Sequence, residues 1–172
     1  MAKIKITNAR LSFPSLFKKA SFDGSSDGKY EATFIIPKKG NEAWHKEVTA
    51  QMDAGILEAK LGKVSADKRF LKDGDELDTD KYPEYADAWI VKAANGKRPT
   101  VLNRDKTPLV EDDEVLYAGC YVNAVIEPWY QNNSFGKRCN ANLYGVQFVK
   151  DGEPFGAGDT NVDDDFDDID DL

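Results

Sequence analysis

Histidine occurs once in this chain, cysteine twice and methionine twice. The single imidazole, His45, lies in Trp44-His45-Lys46 on a predicted helix, where its neighbours place it towards solvent. A histidine-based acid–base or metal site therefore has nothing to assemble from. Cys120 and Cys139 form neither a metal-ligand spacing nor a redox motif. Both fall in one predicted hairpin centred near Ser134. They sit about nine positions out of register there, roughly 30 Å along the strands. A disulfide needs Cα atoms within about 7 Å, so two free thiols are expected. No apolar run approaches the roughly 18 residues that span a bilayer. The opening Met1-Ala2-Lys3-Ile4-Lys5-Ile6 alternates charge with apolar residues, unlike a signal peptide. The expected compartment is the cytosol, with no membrane partner. Neither a phosphate-cradling Gly loop nor a nucleophile elbow is present. Asp73, Asp75, Asp78 and Asp80 hint at a calcium loop, but no register supplies both its required Gly and its closing Glu. No cofactor, no metal and no catalytic residue is expected, and the chain reads as a non-enzyme.

What is present is charge, unevenly placed. The chain carries a net charge of −8. Residues 159–172 hold eight Asp and no Lys or Arg, so the remainder balances 23 basic against 23 acidic residues. The acidity belongs to the tail rather than to the body. Within the neutral body, residues 1–72 are net +6, 73–87 net −6 and 88–110 net +4. Such segregation permits a basic groove on a neutral protein.

Lys3–Phe13 reads as a strand that Pro14 interrupts, Ser21–Lys29 as a turn, and Tyr30–Ile36 as a strand stopped by Pro37. Asn41 is a suitable N-cap for a helix to about Leu61. Trp44, Val48, Met52, Ile56, Leu57 and Leu61 form its apolar stripe. Residues 62–87 look irregular and acidic. Ala88–Ala94 is a short strand, Arg98–Asn103 a strand or arm, and Glu111–Glu114 an acidic loop. Tyr117–Tyr130 and Arg138–Lys150 are the strongest strand pair, with Gln131–Lys137 as the hairpin loop. Phe34, Tyr144 and Phe148 are assigned to the core. The fold class expected is mainly β with one main helix: an OB-like, five-stranded antiparallel β-barrel with an irregular insertion. The helix follows the second strand, whereas the usual OB arrangement places it after the third. Residues 1–156 form the domain. Residues 157–172, Gly- and Asp-rich, are expected to form a disordered acidic tail.

A protein that binds single-stranded nucleic acid needs cations along a groove with aromatic rings between them. The chain interleaves the two repeatedly, as in Trp129, Tyr130, Phe135, Lys137 and Arg138. On the strand Tyr121–Tyr130, Val122, Ala124 and Ile126 make the apolar face, which turns Tyr121, Asn123 and Trp129 the other way. These rings either stack on bases or are covered by a second layer, such as the 73–110 insertion. The candidates for stacking are Phe13, Tyr121 and Trp129. The candidates for phosphate contact are Lys18, Lys19, Lys38, Lys39, Lys92, Arg98, Lys137 and Arg138. The tail Asp163-Asp164-Asp165-Phe166-Asp167-Asp168-Ile169-Asp170-Asp171-Leu172 spaces large apolar residues every three positions. A purely solubilising tail needs none. This one suits docking on a basic, apolar-pocketed partner, or on the protein's own groove until DNA displaces it.

The opening KIKITNARLSFPSLFKKA, the strand KYEATFIIPK and the helix after it, GCYVNAVIEPWYQ, SFGKRCNANLYGVQFVKDGEPFG and the Asp-rich end together resemble the phage single-stranded DNA-binding proteins, a family long catalogued as a domain of unknown function. The resemblance covers essentially the whole chain. It implies an OB fold, sequence-independent binding of single-stranded DNA in the cytosol of a bacterial host, and a role in phage DNA replication, recombination or repair. It also implies that the acidic tail recruits replisome or recombination proteins. Many tails of that kind end in an aromatic residue; this one ends in Leu172, with Phe166 six positions back. Two rival readings lack DNA affinity, a virion structural or assembly protein and a DNA mimic. The net-zero body argues against the mimic. A metal-dependent nuclease is a further and weaker rival. A homodimer through an exposed edge strand is left open.

Overall fold

The computed structural model describes residues 3–19, 28–134 and 136–155. Apart from Gly28 and Lys29, the expected turn at Ser21–Lys29 lies outside these residues, as do Phe135 and the whole acidic tail. The elements are β1 (Ile4–Ser15), β2 (Tyr30–Pro37), α1 (Glu42–Glu58), β3 (Leu71–Asp73), β4 (Ala88–Asn95), β5 (Thr100–Leu102), β6 (Tyr121–Asn133) and β7 (Gly136–Lys150).

The strands form one sheet in the order β3-β4-β2-β1-β6-β7-β5. A parallel pairing of β4 with β7, Ala94 opposite Asn142, joins the sheet to itself. Strands β1, β2, β4, β6 and β7 thereby close into a five-stranded barrel, as expected of an OB-like fold, with β3 and β5 as additional strands. The helix enters between the second and third barrel strands, as its place in the sequence indicates.

Alternation along β1 and β6 points Ile4, Ile6, Val122, Ala124 and Ile126 into the barrel, each 5% exposed or less. Strand β2 departs from alternation and reads as a continuous apolar run, because both its faces are covered. Ala32, Phe34 and Ile36 fill the barrel, while Ile35 packs with Tyr85, Ala88 and Ile90 in a second cluster. Residues 74–87, between β3 and β4, supply that outer cover. Cys120 and Cys139 are buried free thiols, and burial raises the pKa of both.

Helix α1 lies on the barrel through Val48, Met52 and Ile56, and the Trp44 indole donates to the Lys5 carbonyl at 3.0 Å. Asn41 stands at the N-cap position without capping. Its amide donates to the Pro37 carbonyl at 2.8 Å, and the Glu42 carboxylate instead accepts from the Gly40 N–H. The helix ends in a Schellman pattern: Leu61 N–H bonds to Ile56 C=O and Lys60 N–H to Leu57 C=O. Lys60 takes the left-handed conformation there, with φ 56°.

Several expectations need correction. Leu57 is 80% exposed, because the i+4 steps from Trp44 through Ile56 already define the buried face and Leu57 lies one helical step beyond it. His45 is not solvent-facing: its ring stacks on Trp89 at 3.9 Å and 10°. Burial lowers its pKa. Tyr144 is 37% exposed rather than core. The expected hairpin loop is mostly strand, with pairing continuing to Asn133 opposite Gly136. The irregular stretch 62–87 contains β3, three residues paired to β4. Pro14 does not end β1. A bulge between Ser12 and Ser15 accommodates it, with Phe13 at φ 46°.

Gly55 sits inside α1, where glycine costs about 1 kcal/mol relative to alanine. Its reason is close packing: a Cβ there would come within 2.0 Å of the Tyr130 ring. Gly55→Ala should therefore lower stability by about 1–2 kcal/mol in urea denaturation, because the ring has to be displaced. In a Tyr130→Ala background the same change should raise stability by up to about 1 kcal/mol.

Candidate nucleic-acid interface

The barrel's hairpin, β6–β7, projects past the point where β7 meets β4. Between this hairpin, the β2–β4 face and the 66–85 segment lies a groove of about 720 Å³. Three parts of the chain place aromatic rings along it. The bulge in β1 turns Phe13 outward, leaving it 50% exposed. Alternation along β6 puts Trp129 on the outer face, 36% exposed, beside buried Pro128. The insertion contributes half-buried Tyr82, whose ring meets Phe13 edge-on at 5.6 Å and lies 5.0 Å from Tyr85.

The charges along the groove are predominantly positive. Lys29, Lys68, Arg69, Lys72, Lys92 and Arg138 line it, against Glu31, Asp67 and Asp78. Among the described residues, only Arg69 of these cations has an ion pair, with Asp53 at 3.7 Å. The Arg69 Nε also donates to the Val64 carbonyl at 3.0 Å, which orients the guanidinium. Lys72 shows the electrostatic state most directly. Its pKa is lowered, first by burial, then by the charge of Lys92 and less by Arg138, while the Asp67 carboxylate offsets part of the shift. Lys92 and Arg138 thus repel Lys72 with only Asp67 set against them, and a further anion would relieve that repulsion. The rings and the cations together suit an extended polyanion with flat, stackable groups.

The family model of the single-stranded DNA-binding protein of Enterobacter phage Enc34 matches residues 2–172. The chain belongs to this family. It is 37% identical to protein p50 of Acyrthosiphon pisum secondary endosymbiont phage 1, over 97% of this chain and 94% of p50. The structure of the Enc34 single-stranded DNA-binding protein in complex with ssDNA superposes with a TM-score of 0.81 at 38% identity, covering 90% of this chain and 89% of that one. The single-stranded DNA-binding protein gp2.5 of bacteriophage T7 shares the fold, with a TM-score of 0.61 at 13% identity over 98% of each chain.

Of the residues singled out in the sequence, Phe13, Lys92, Trp129 and Arg138 meet in the groove. Lys137 lies on a neighbouring cleft with Lys63 and Lys68, and Lys68 lines both. The others are elsewhere. Lys38 is held by Asp73 and Asp75, each at 2.8 Å, which raises its pKa well above the usual lysine value. Lys18 stands 3.6 Å from Glu111, and the Arg98 guanidinium lies 5.4 Å from the Phe17 ring centre. Lys19 and Lys39 are exposed and do not line the groove. Tyr121 sits between Arg10 and Lys150, at 5.4 and 4.7 Å. The tail residues Asp163 to Leu172 lie outside the described residues.

Sequence reasoning did not single out Lys68, Arg69, Lys72 or Tyr82. The net charge of +6 over residues 1–72 contains the first three but does not rank them. Because folding lowers the Lys72 pKa, stability should rise as pH climbs through its folded value towards 10.5. Lys72→Met should remove that rise and increase the thermal midpoint at pH 7, whereas Lys38→Met should lower it. Thermal melts of both variants between pH 7 and 10 check the signs.

Proposed function

We propose that this protein binds single-stranded DNA without requiring a particular sequence, and coats it during phage DNA replication, recombination or repair. The observation that carries this reading is the cluster Lys72, Lys92 and Arg138, without an ion pair among the described residues, sharing one groove with the rings of Phe13, Tyr82 and Trp129. Phosphates would take the cations, releasing counterions and making affinity fall with salt. Bases would stack on the rings, each stack contributing about 1–3 kcal/mol whatever the base. The Enc34 relative, solved in complex with ssDNA, supports the same ligand.

Nothing in this reading needs catalysis, and the protein acts as a non-enzyme. The acidic tail, from Asp163 to Leu172, recruits replication or recombination proteins through its spaced Phe166, Ile169 and Leu172. Its carboxylates compete with DNA for the groove cations. The setting is the host cytosol; among the described residues no helix is long and apolar enough to cross a membrane.

The test is fluorescence-anisotropy titration of labelled oligo-dT, with duplex competitor, at two salt concentrations. The expected result is salt-sensitive binding that prefers the single strand and tightens when residues 159–172 are removed. Trp129→Ala should weaken binding roughly 5- to 100-fold with the fold intact, the loss expected of one stack. Absence of binding by both chain lengths would sink the reading and favour a virion assembly role. Weaker binding after truncation would remove the competing tail.

A further inference from the structure

Beside the groove lies a second cavity, of about 320 Å³, between α1 and the β3 region. Small-molecule sites begin at about this size. It is continuous with the groove, because Arg69 and Lys72 line both. Met52 and Leu71 give it an apolar floor. On its helix side is Thr49, whose hydroxyl is buried with no hydrogen-bond partner among the described residues. A hydroxyl on a helix commonly satisfies itself on the carbonyl one turn back, and this one does not. An unpaired buried hydroxyl is costly, and a ligand atom would satisfy it. Glu76 also lines the cavity, exposed and without a hydrogen bond or ion pair among the described residues. The nearby Asp73, by contrast, is committed to Lys38 and to the Asp75 N–H.

A small slot with an apolar floor, one unpaired hydroxyl and three carboxylates, of which Asp67 is engaged by Ser65 and Asp73 by Lys38 so that Glu76 is left free, matches a nucleobase better than a phosphate. We propose that this cavity receives one base of the bound strand, turned out of the groove, and that it prefers cytosine to thymine. The proposal rests on the single-stranded DNA reading and adds a modest preference to it. Cytosine presents an exocyclic amino group that donates to the Glu76 carboxylate, and ring acceptors for the Thr49 hydroxyl. Thymine presents a carbonyl oxygen where cytosine has its amino group, so it would face Glu76 with like partial charge. Arg69 and Lys72 would hold the phosphates on either side of the turned-out nucleotide.

The experiment compares oligo-dC with oligo-dT of equal length on the full chain at pH 8 and one salt concentration. Oligo-dC is expected to bind about 3- to 10-fold tighter, less than a buried hydrogen bond to a charged group supplies because Glu76 is exposed. Thr49→Val, which keeps the shape and loses no existing partner, should bring oligo-dC to the oligo-dT affinity and leave oligo-dT unchanged. Glu76→Leu, at an exposed position, should do the same and serves as the second variant should Thr49→Val melt early. Equal affinity for the two oligomers, or a preference that survives both substitutions, overturns the side pocket while leaving DNA binding in place. Failure of both oligomers to bind overturns the DNA reading and this proposal with it.

Discussion

The groove depends on where the barrel closes. β4 already pairs with β2 on one side and with β3 on the other, so it meets β7 through a single parallel pair, Ala94 and Asn142. Closing there leaves the distal half of the β6–β7 hairpin, a two-stranded ribbon, without a barrel partner, and it packs instead on α1 through Tyr130 and on Arg69 through Cys139. Trp129, Gln131 and Arg138 ride on that ribbon. The segment that carries Lys68 to Lys72 joins the ribbon through a parallel bridge of Arg69 with Cys139, and β4, with Lys92, also lines the groove. The groove is the gap between a closed barrel and strands that outrun it. A longer β4–β7 ladder would fill that gap with backbone.

Two lysines show how the fold divides its charges. Lys38 lies between two carboxylates and contributes nothing to an outside anion. Lys72 is partly buried beside two cations and is destabilised in the free protein. The insertion that supplies Asp73 and Asp75 to the first also supplies Tyr82 to the groove. The same acidic stretch therefore withdraws one cation from the surface and builds the wall beside the others. Net charge by segment, which separates +6 from −6 along the chain, does not resolve this division, because pairing is decided across β3 and β4 rather than along the sequence.

Most of the barrel was legible in the chain. Alternation in β1 and β6 and the long strand pair near the end follow from side-chain period alone. Trp129 follows from the same period. Phe13 has no such period behind it and reaches the groove through the bulge that accommodates Pro14. Three-residue β3 is too short to leave a periodic signal, so Lys72 had no element to be placed on. Tyr82 sits in a turn whose position depends on the second core cluster beneath β2. Leu57 and Tyr144 were misplaced because apolar character was weighed above the face each residue occupies. Tyr121 was assigned to the correct face, but that face is covered by Arg10 and Lys150.

The pairing of β1 with β6 sets a folding order. Ile4 lies opposite Ile126, so one edge of the first strand, whose other edge pairs with β2, waits for a partner more than a hundred residues downstream. Contacts of such separation form slowly, because the intervening loop must first be ordered. During synthesis the N-terminal strands, the helix and the acidic insertion leave the ribosome while β6 and β7 are still unmade. Until those strands arrive the chain has neither a closed barrel nor an opposite wall to its groove. An incomplete chain therefore carries the Lys72 and Lys92 side of the groove without Trp129 and Arg138, and the groove is whole only in the finished domain.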